Sequence, residues 1–268
     1  MSVMISGRFW LIAACSAIVV AAASAGAFTP PPDTAIPKGP FGDSVRRGEA
    51  IFTDTQKNGR PFVGNALNCS NCHLDHGRQP DAAPMWAAWL LYPEFRTKNG
   101  KVNTMALRIQ ECFCYSMNGK MPPSDSQLVT DLESYFYWLA TGAPTGQKLP
   151  GQGYPALNGP HKAPDIGRGK TAYSTHCVIC HGADGNGNRQ AGIPPLWGPH
   201  SFNKGAGMYQ VETAARFILT NMPLGLGGTL SVQQAYDIAS YIESQPRPAD
   251  PRVTDRAGKS ELMGPRVP

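Results

Sequence analysis

Charge is scarce in this chain. Asp, Glu, Lys and Arg make up only 16% of its 268 residues, while the apolar fraction is an ordinary 41%. Low charge argues against a coiled coil, and a normal apolar fraction argues against full disorder. Long hydrophobic runs are missing except for one near the N-terminus, which excludes a polytopic membrane protein. Long regular elements are disfavoured too. The chain holds 29 Gly and 25 Pro, about a fifth of its length, so short elements joined by many turns are expected.

The single apolar run, Phe9 to Ala23, follows Arg8 and ends in small residues at Ala23-Ser24-Ala25 and Ala25-Gly26-Ala27. This order of charge, apolar stretch and cleavage site marks residues 1–27 as a secretory signal, with an uncleaved anchor as the alternative. The expected location is therefore periplasmic, with no membrane span after cleavage. Removing Arg8, the only charged residue of that segment, leaves 23 basic and 19 acidic residues, net +4. So mild and scattered an excess argues against nucleic acid as a partner.

Six cysteines remain: Cys69, Cys72, Cys112, Cys114, Cys177 and Cys180. In an exported chain an even count suggests disulfides. The spacing argues otherwise. Cys69-Ser70-Asn71-Cys72-His73 and Cys177-Val178-Ile179-Cys180-His181 both read C-x-x-C-H. With 7 Cys and 6 His in the whole chain, chance produces roughly 0.004 such matches. Two thiols one helical turn apart form thioethers to the two vinyl groups of one haem, and the adjacent His becomes the proximal iron ligand. A thioredoxin-like motif has no use for that His, and a zinc site would draw ligands from elsewhere. The expected cofactors are two covalently bound haem c groups, held by Cys69, Cys72 and His73, and by Cys177, Cys180 and His181.

The two motifs sit inside a repeat. Arg47-Gly48-Glu49-Ala50-Ile51-Phe52 precedes the first and Arg168-Gly169-Lys170-Thr171-Ala172-Tyr173 the second. From Gly to Cys the first copy is 13 residues longer, an insertion around Gly59 to Asn68 read as a loop or hairpin. A Met-Pro pair follows each motif, Met121-Pro122 and Met222-Pro223, and then a helical pattern over Ser126 to Ala140 and Ser231 to Ser244. Ser124 and Ser231 stand where caps belong. Each half thus follows the plan of a small class I cytochrome c domain. The expected fold is all-α, with two such domains in tandem: residues 28–145, a Pro- and Gly-rich linker at 146–165, residues 166–248, and a tail at 249–268 that is either an extended strap or disordered.

Each iron has room for a second axial ligand. Met222, 41 residues after His181, is favoured over Met208 in the second half. In the first half Met117 and Met121 compete with a thiol. Thr104 to Gly119 reads as a helix, with a Thr cap and a closing Asn-Gly. On it Arg108, Cys112 and Ser116 share a face, and Cys114 lies about 200° round from Cys112. Arg108 one turn away would draw an anion to Cys112. The residues alone leave Cys112 as a ligand or reactive thiol, a buried free Cys, or half of a Cys112–Cys114 disulfide.

A resemblance bears on that choice. Gly64-Asn65-Ala66-Leu67-Asn68 leading into the first motif, Tyr92-Pro93-Glu94-Phe95-Arg96, Arg108-Ile109-Gln110-Glu111-Cys112-Phe113 and Ser116-Met117-Asn118-Gly119 resemble the diheme thiosulfate dehydrogenases that form tetrathionate. Pro194 to Pro199, Ser201-Phe202-Asn203, Gly205 to Met208 and Asn221-Met222-Pro223 resemble them as well, so the likeness runs from residue 41 to 248. It implies that Cys112 is the distal ligand of the first haem and the sulfur-handling residue. Arg108 and Ser116 would hold thiosulfate, Arg96 or Lys98 would add positive charge, and Met222 would be the distal ligand of the second haem. The implied reaction is oxidation of two thiosulfate to tetrathionate, reversible in principle, with electrons leaving to a soluble cytochrome or another periplasmic acceptor. Two departures stand out: Cys114 is an extra thiol, and Asn221 occupies a position where some relatives carry Lys. The rival expectation is a non-catalytic diheme electron carrier serving a periplasmic dehydrogenase.

Overall fold

The computed structural model describes residues 28–97, 99–159 and 161–254. The expected export segment (1–27), Lys98 and the end of the tail lie outside them. Helices dominate: α1 (Pro40–Thr53), α2 (Met85–Trp89), α3 (Met105–Glu111), α4 (Gln127–Leu139), α5 (Ile166–His176), α6 (Val211–Asn221) and α7 (Val232–Ser244). The all-α expectation needs one correction. Glu94–Arg96 (β1) and Lys101–Asn103 (β2) pair antiparallel as a small hairpin, with Phe95 opposite Val102. Three-residue strands carry too little alternation to be read from sequence. Among the described residues no helix is long and apolar enough to cross a membrane.

Two hydrophobic cores form, one in each half. The first gathers Val45, Phe52, Trp86, Phe113, Leu132, Tyr135 and Leu139. The second gathers Tyr173, Trp197, Ala215, Ile238, Ala239 and Ile242. Each is organised by the crossing of an N-terminal and a C-terminal helix, α1 on α4 and α5 on α7, and the repeated Arg-Gly explains both crossings. A Cβ on Gly48 would stand 2.0 Å from the Asp131 carbonyl oxygen, and one on Gly169 would stand 1.9 Å from that of Asp237. Only glycine lets the backbones touch. The preceding arginines then reach across. Arg47 donates twice to the Asp131 carboxylate, at 2.8 and 2.9 Å, and Arg168 twice to Asp237, at 2.7 and 2.9 Å. Gln127 and Gln233, one turn earlier on α4 and α7, donate to the same carboxylates. Burial would push these two acids up, but the arginines and the other donors hold both below their ordinary value.

Capping differs in one detail from expectation. Ser231 caps α7 in a full capping box with Gln234. The cap of α4 is Ser126, which accepts from Val129 N–H, and not Ser124. Helix α3 starts where expected, on Thr104. Its continuation Cys112–Ser116 widens into a π turn, with Met117 N–H bonded to the Cys112 carbonyl, before Asn118 closes it at φ +46°.

The stretch between the halves forms no helix, yet it is anchored. Leu149 is buried in the first core. The carbonyls of Gly151 and Gly153 accept from Asp81 and Ala83 N–H, at 2.7 and 2.8 Å. After α7 the chain runs as a strap up to residue 250. Pro246 and Pro248 carbonyls accept from Gly198 and Lys204 N–H. The fully buried Arg247 side chain stacks on Phe202 and pairs with Glu243.

Candidate active site

In the first half the C-x-x-C-H motif begins on a tight turn, Cys69–Asn71. Thr55 holds it: its hydroxyl accepts from Cys69 N–H at 3.1 Å and lies 3.5 Å from Cys69 Sγ. His73 Nδ1 bonds the Ala83 carbonyl at 2.8 Å. In the second half His181 Nδ1 bonds the Pro194 carbonyl at 3.2 Å. These bonds commit one ring nitrogen of each His to the backbone and leave Nε2 free to bind iron, which fixes the ring as a haem ligand needs. The donor set therefore fits haem c in both motifs. Burial pushes both His73 and His181 down, His73 to about 4, with Arg108 acting in the same direction on His73. Each stays neutral and able to ligate.

The π turn carries Cys112 towards this motif. Burial pushes the thiols of Cys69 and Cys72 up to about 12, and Cys112 is a neighbour acting on both. Cys112 is also the main influence raising Arg108, outweighing the burial that would lower it, with Tyr92, Glu111 and Tyr154 adding to the rise. Arg108 therefore stays cationic. Its side chain is 32% accessible, and its nearest acid is Glu111 at 3.9 Å. Asn99 and Asn103 already donate to the Glu111 carboxylate. Among the described residues the guanidinium is thus a half-buried cation without a tight counter-ion. Cys114 is buried in the first core instead, and no disulfide joins it to Cys112.

Other expected residues are placed less directly. Ser116 ends the π turn, and its carbonyl accepts from Asn65 Nδ2 at 2.7 Å. Arg96, on β1, is bonded to Glu94 at 2.7 Å. Its charge reaches Tyr92 but is shared with that acid. Lys98 lies outside the described residues. Met117 is buried in the first core, with Met121 half-buried against it. Met222 follows the last residue of α6 and packs on the second core, while Met208 touches both cores.

Two residues not anticipated from sequence join the site. Burial pushes the Tyr154 phenol well up; its other neighbours are Cys72, Arg108 and Cys112. Burial also raises Tyr92, which feels Arg108, Arg96 and Cys112. Both phenols therefore remain protonated donors beside the Arg108 cation. Tyr154 comes from the strap between the halves, and its ring meets Phe217 of α6 edge-on at 5.9 Å.

Comparison with known proteins points to a family. Residues 166–246 match the cytochrome c family, which implies covalently bound haem c. The thiosulfate dehydrogenase of Stutzerimonas stutzeri is 49% identical over 231 residues, 85% of this chain and 75% of the relative. That of Thiomonas intermedia is 49% identical over 240 residues, 88% of this chain and 76% of the relative. The solved structure of the thiosulfate dehydrogenase TsdBA from Marichromatium purpuratum superposes with a TM-score of 0.80 at 46% identity. It matches 88% of this chain, which spans 54% of that longer one. With about half of its residues identical to these enzymes along most of its length, the chain belongs to the thiosulfate dehydrogenase family.

Proposed function

We propose that the protein is an exported diheme cytochrome c that couples two thiosulfate ions into tetrathionate and releases two electrons. The observation that carries this reading is the convergence of Cys112 and Arg108 on the Cys69-x-x-Cys72-His73 motif. An electron carrier needs no thiol at that place. His73 and Cys112 would hold the iron of haem c in the first half, residues 28–145, and His181 and Met222 in the second, residues 166–248. Haem c held by these residues would supply one-electron redox chemistry, with a soluble cytochrome or another periplasmic carrier as the final acceptor.

The protein's own groups do the rest. Thiosulfate is a small dianion, and Arg108 with the Tyr92 and Tyr154 hydroxyls offers one cation and two neutral donors to its sulfonate oxygens. Ser116 adds a hydroxyl on the same turn, and Arg96 or Lys98 adds positive charge. The outer sulfur of the first thiosulfate forms a bond to the Cys112 thiolate Sγ, with loss of two electrons. The outer sulfur of the second thiosulfate then attacks that sulfur. A new S–S bond forms, the Sγ–S bond breaks, and tetrathionate leaves with Cys112 restored as thiolate, as in thiol–disulfide exchange. The same steps reversed reduce tetrathionate.

The test is an assay of purified holoprotein with thiosulfate and ferricyanide, and with tetrathionate and a reductant. Turnover in either direction supports the proposal. A holoprotein with both haems that is silent in both would favour the electron-carrier reading.

A further inference from the structure

Asn221 is the last residue of α6 and immediately precedes Met222. It is 3% exposed, and its side-chain amide is fully engaged. Oδ1 accepts from Gln79 Nε2 at 2.8 Å. Nδ2 donates to the Asp81 carbonyl and to the Phe217 carbonyl, both at 3.2 Å. Only the Phe217 bond is local to α6. The other two reach residues about 140 positions earlier, in the first half of the chain.

Their target is not an arbitrary surface. Residues 79–83 form the turn whose last carbonyl, that of Ala83, fixes the His73 ring at 2.8 Å. Its backbone is unusual: Asp81 and Ala83 both have left-handed φ, +62° and +49°, without being glycine. Such conformations persist where surrounding bonds over-determine them. Here the bonds are Asp81 N–H to Gly151, Ala83 N–H to Gly153, and the Asn221 amide on the Asp81 carbonyl. A continuous path thus runs from His73 through Ala83 and Asp81 to Asn221 and the backbone of Met222.

We infer that Asn221 is a positioning residue for Met222, and that Gln79 and the Asp81 carbonyl of the first half form the fixed end of its clamp. The backbone of Met222 is extended, and its only helical bond is its own N–H to the Ile218 carbonyl at 2.9 Å. The side-chain clamp one residue earlier sets where that backbone leaves the helix. It holds the Met222 sulfur near the second haem at the expense of competing ligands. Buried amide bonds of this kind each contribute about 1 kcal/mol, and leaving a partner unsatisfied costs more.

This inference rests on the assignment of Met222 as a ligand made above. Its test uses the ferric holoprotein and two readouts: the weak red-end absorption band of Met-ligated haem, and titration of that band with imidazole. Asn221→Ala should tighten imidazole displacement of Met222 about tenfold, equivalent to about 1.4 kcal/mol. Gln79→Ala, a half-buried change in the other half, should act in the same direction by a smaller factor. Added to Asn221→Ala, it should have no further effect. Wild-type imidazole affinity and an unchanged band in both single variants would overturn the clamp. Should Asn221→Ala fail to fold, Gln79→Ala alone decides in the same way. Met222→Ala separates the two ideas. If the band survives that change, the ligand assignment fails and the clamp with it. If the band depends on Met222 but not on Gln79 or Asn221, only the clamp fails.

Discussion

Single residues decide the chemistry of the first half. Cys112 faces the haem-attachment cysteines while Cys114 is buried in the core. Cys112→Ala should therefore abolish thiosulfate turnover with both haems still attached, and it should remove a thiolate-type low-spin signal in electron paramagnetic resonance. Cys114→Ser should keep most of the rate. The opposite pattern would mean the wrong face of the helix had been chosen. Tyr154→Phe removes one donor beside Arg108. A hydrogen bond to a charged group contributes about 1.5–3 kcal/mol, so kcat/KM for thiosulfate should fall about tenfold or more. An unchanged kcat/KM would remove Tyr154 from the site. Arg108 and Cys112 were legible in the sequence because i, i+4 neighbours on one short segment meet whatever the rest of the chain does. Tyr92 and Tyr154 were not. One precedes a three-residue strand and the other sits in a Gly-rich strap, and neither carries a periodicity that points inward.

At the scale of elements, stability lies in the two helix crossings. Gly48→Ala would drive a methyl into the Asp131 carbonyl. The helices must separate, at a cost of about 1–3 kcal/mol, and chemical denaturation of the variant should show it. The acid limb of stability follows from Asp131 and Asp237. Their pKa values are depressed in the folded protein, so their contribution is complete above the ordinary value of 3.8. It is lost as pH falls through the lower folded values. Asp131→Asn should flatten the pH dependence of stability below about pH 3.8 while lowering stability at pH 7. Denaturation midpoints across that range test this, and an unaltered acid limb would count against the Arg47–Asp131 tie. The repeated Arg-Gly was visible in the sequence, but its purpose was not. Its partners Gln127, Asp131, Gln233 and Asp237 lie about 65 to 90 residues away, and only the crossing brings them together. The π turn at Cys112 is similar. Local pattern predicts a helix there, and the choice of an i→i+5 bond over i→i+4 is set by packing of Phe113, Cys114 and Tyr115 into the core.

For the whole molecule, intact mass of the exported protein should exceed the apo chain by two haems, with the colour retained on the polypeptide after acid-acetone extraction. A single-haem mass would leave one of the two motifs without its cofactor. The same spectrum reads whether residues 1–27 have been removed. Haem attachment, the duplicated plan and the family likeness are properties of short contiguous motifs: C-x-x-C-H works through residues one helical turn apart, and Arg-x-x-x-Cys through one helix face. The sequence by itself therefore determined the cofactor chemistry, the repeat and the cysteine worth mutating. What the tertiary structure alone decided is how the halves meet. Tyr154, in a stretch whose Pro and Gly content reads only as a linker, feels the charge of Arg108, and Asn221 bonds Gln79 and the Asp81 carbonyl across about 140 residues. Contacts between residues so distant in sequence leave no local pattern, because their geometry exists only once both cores have formed.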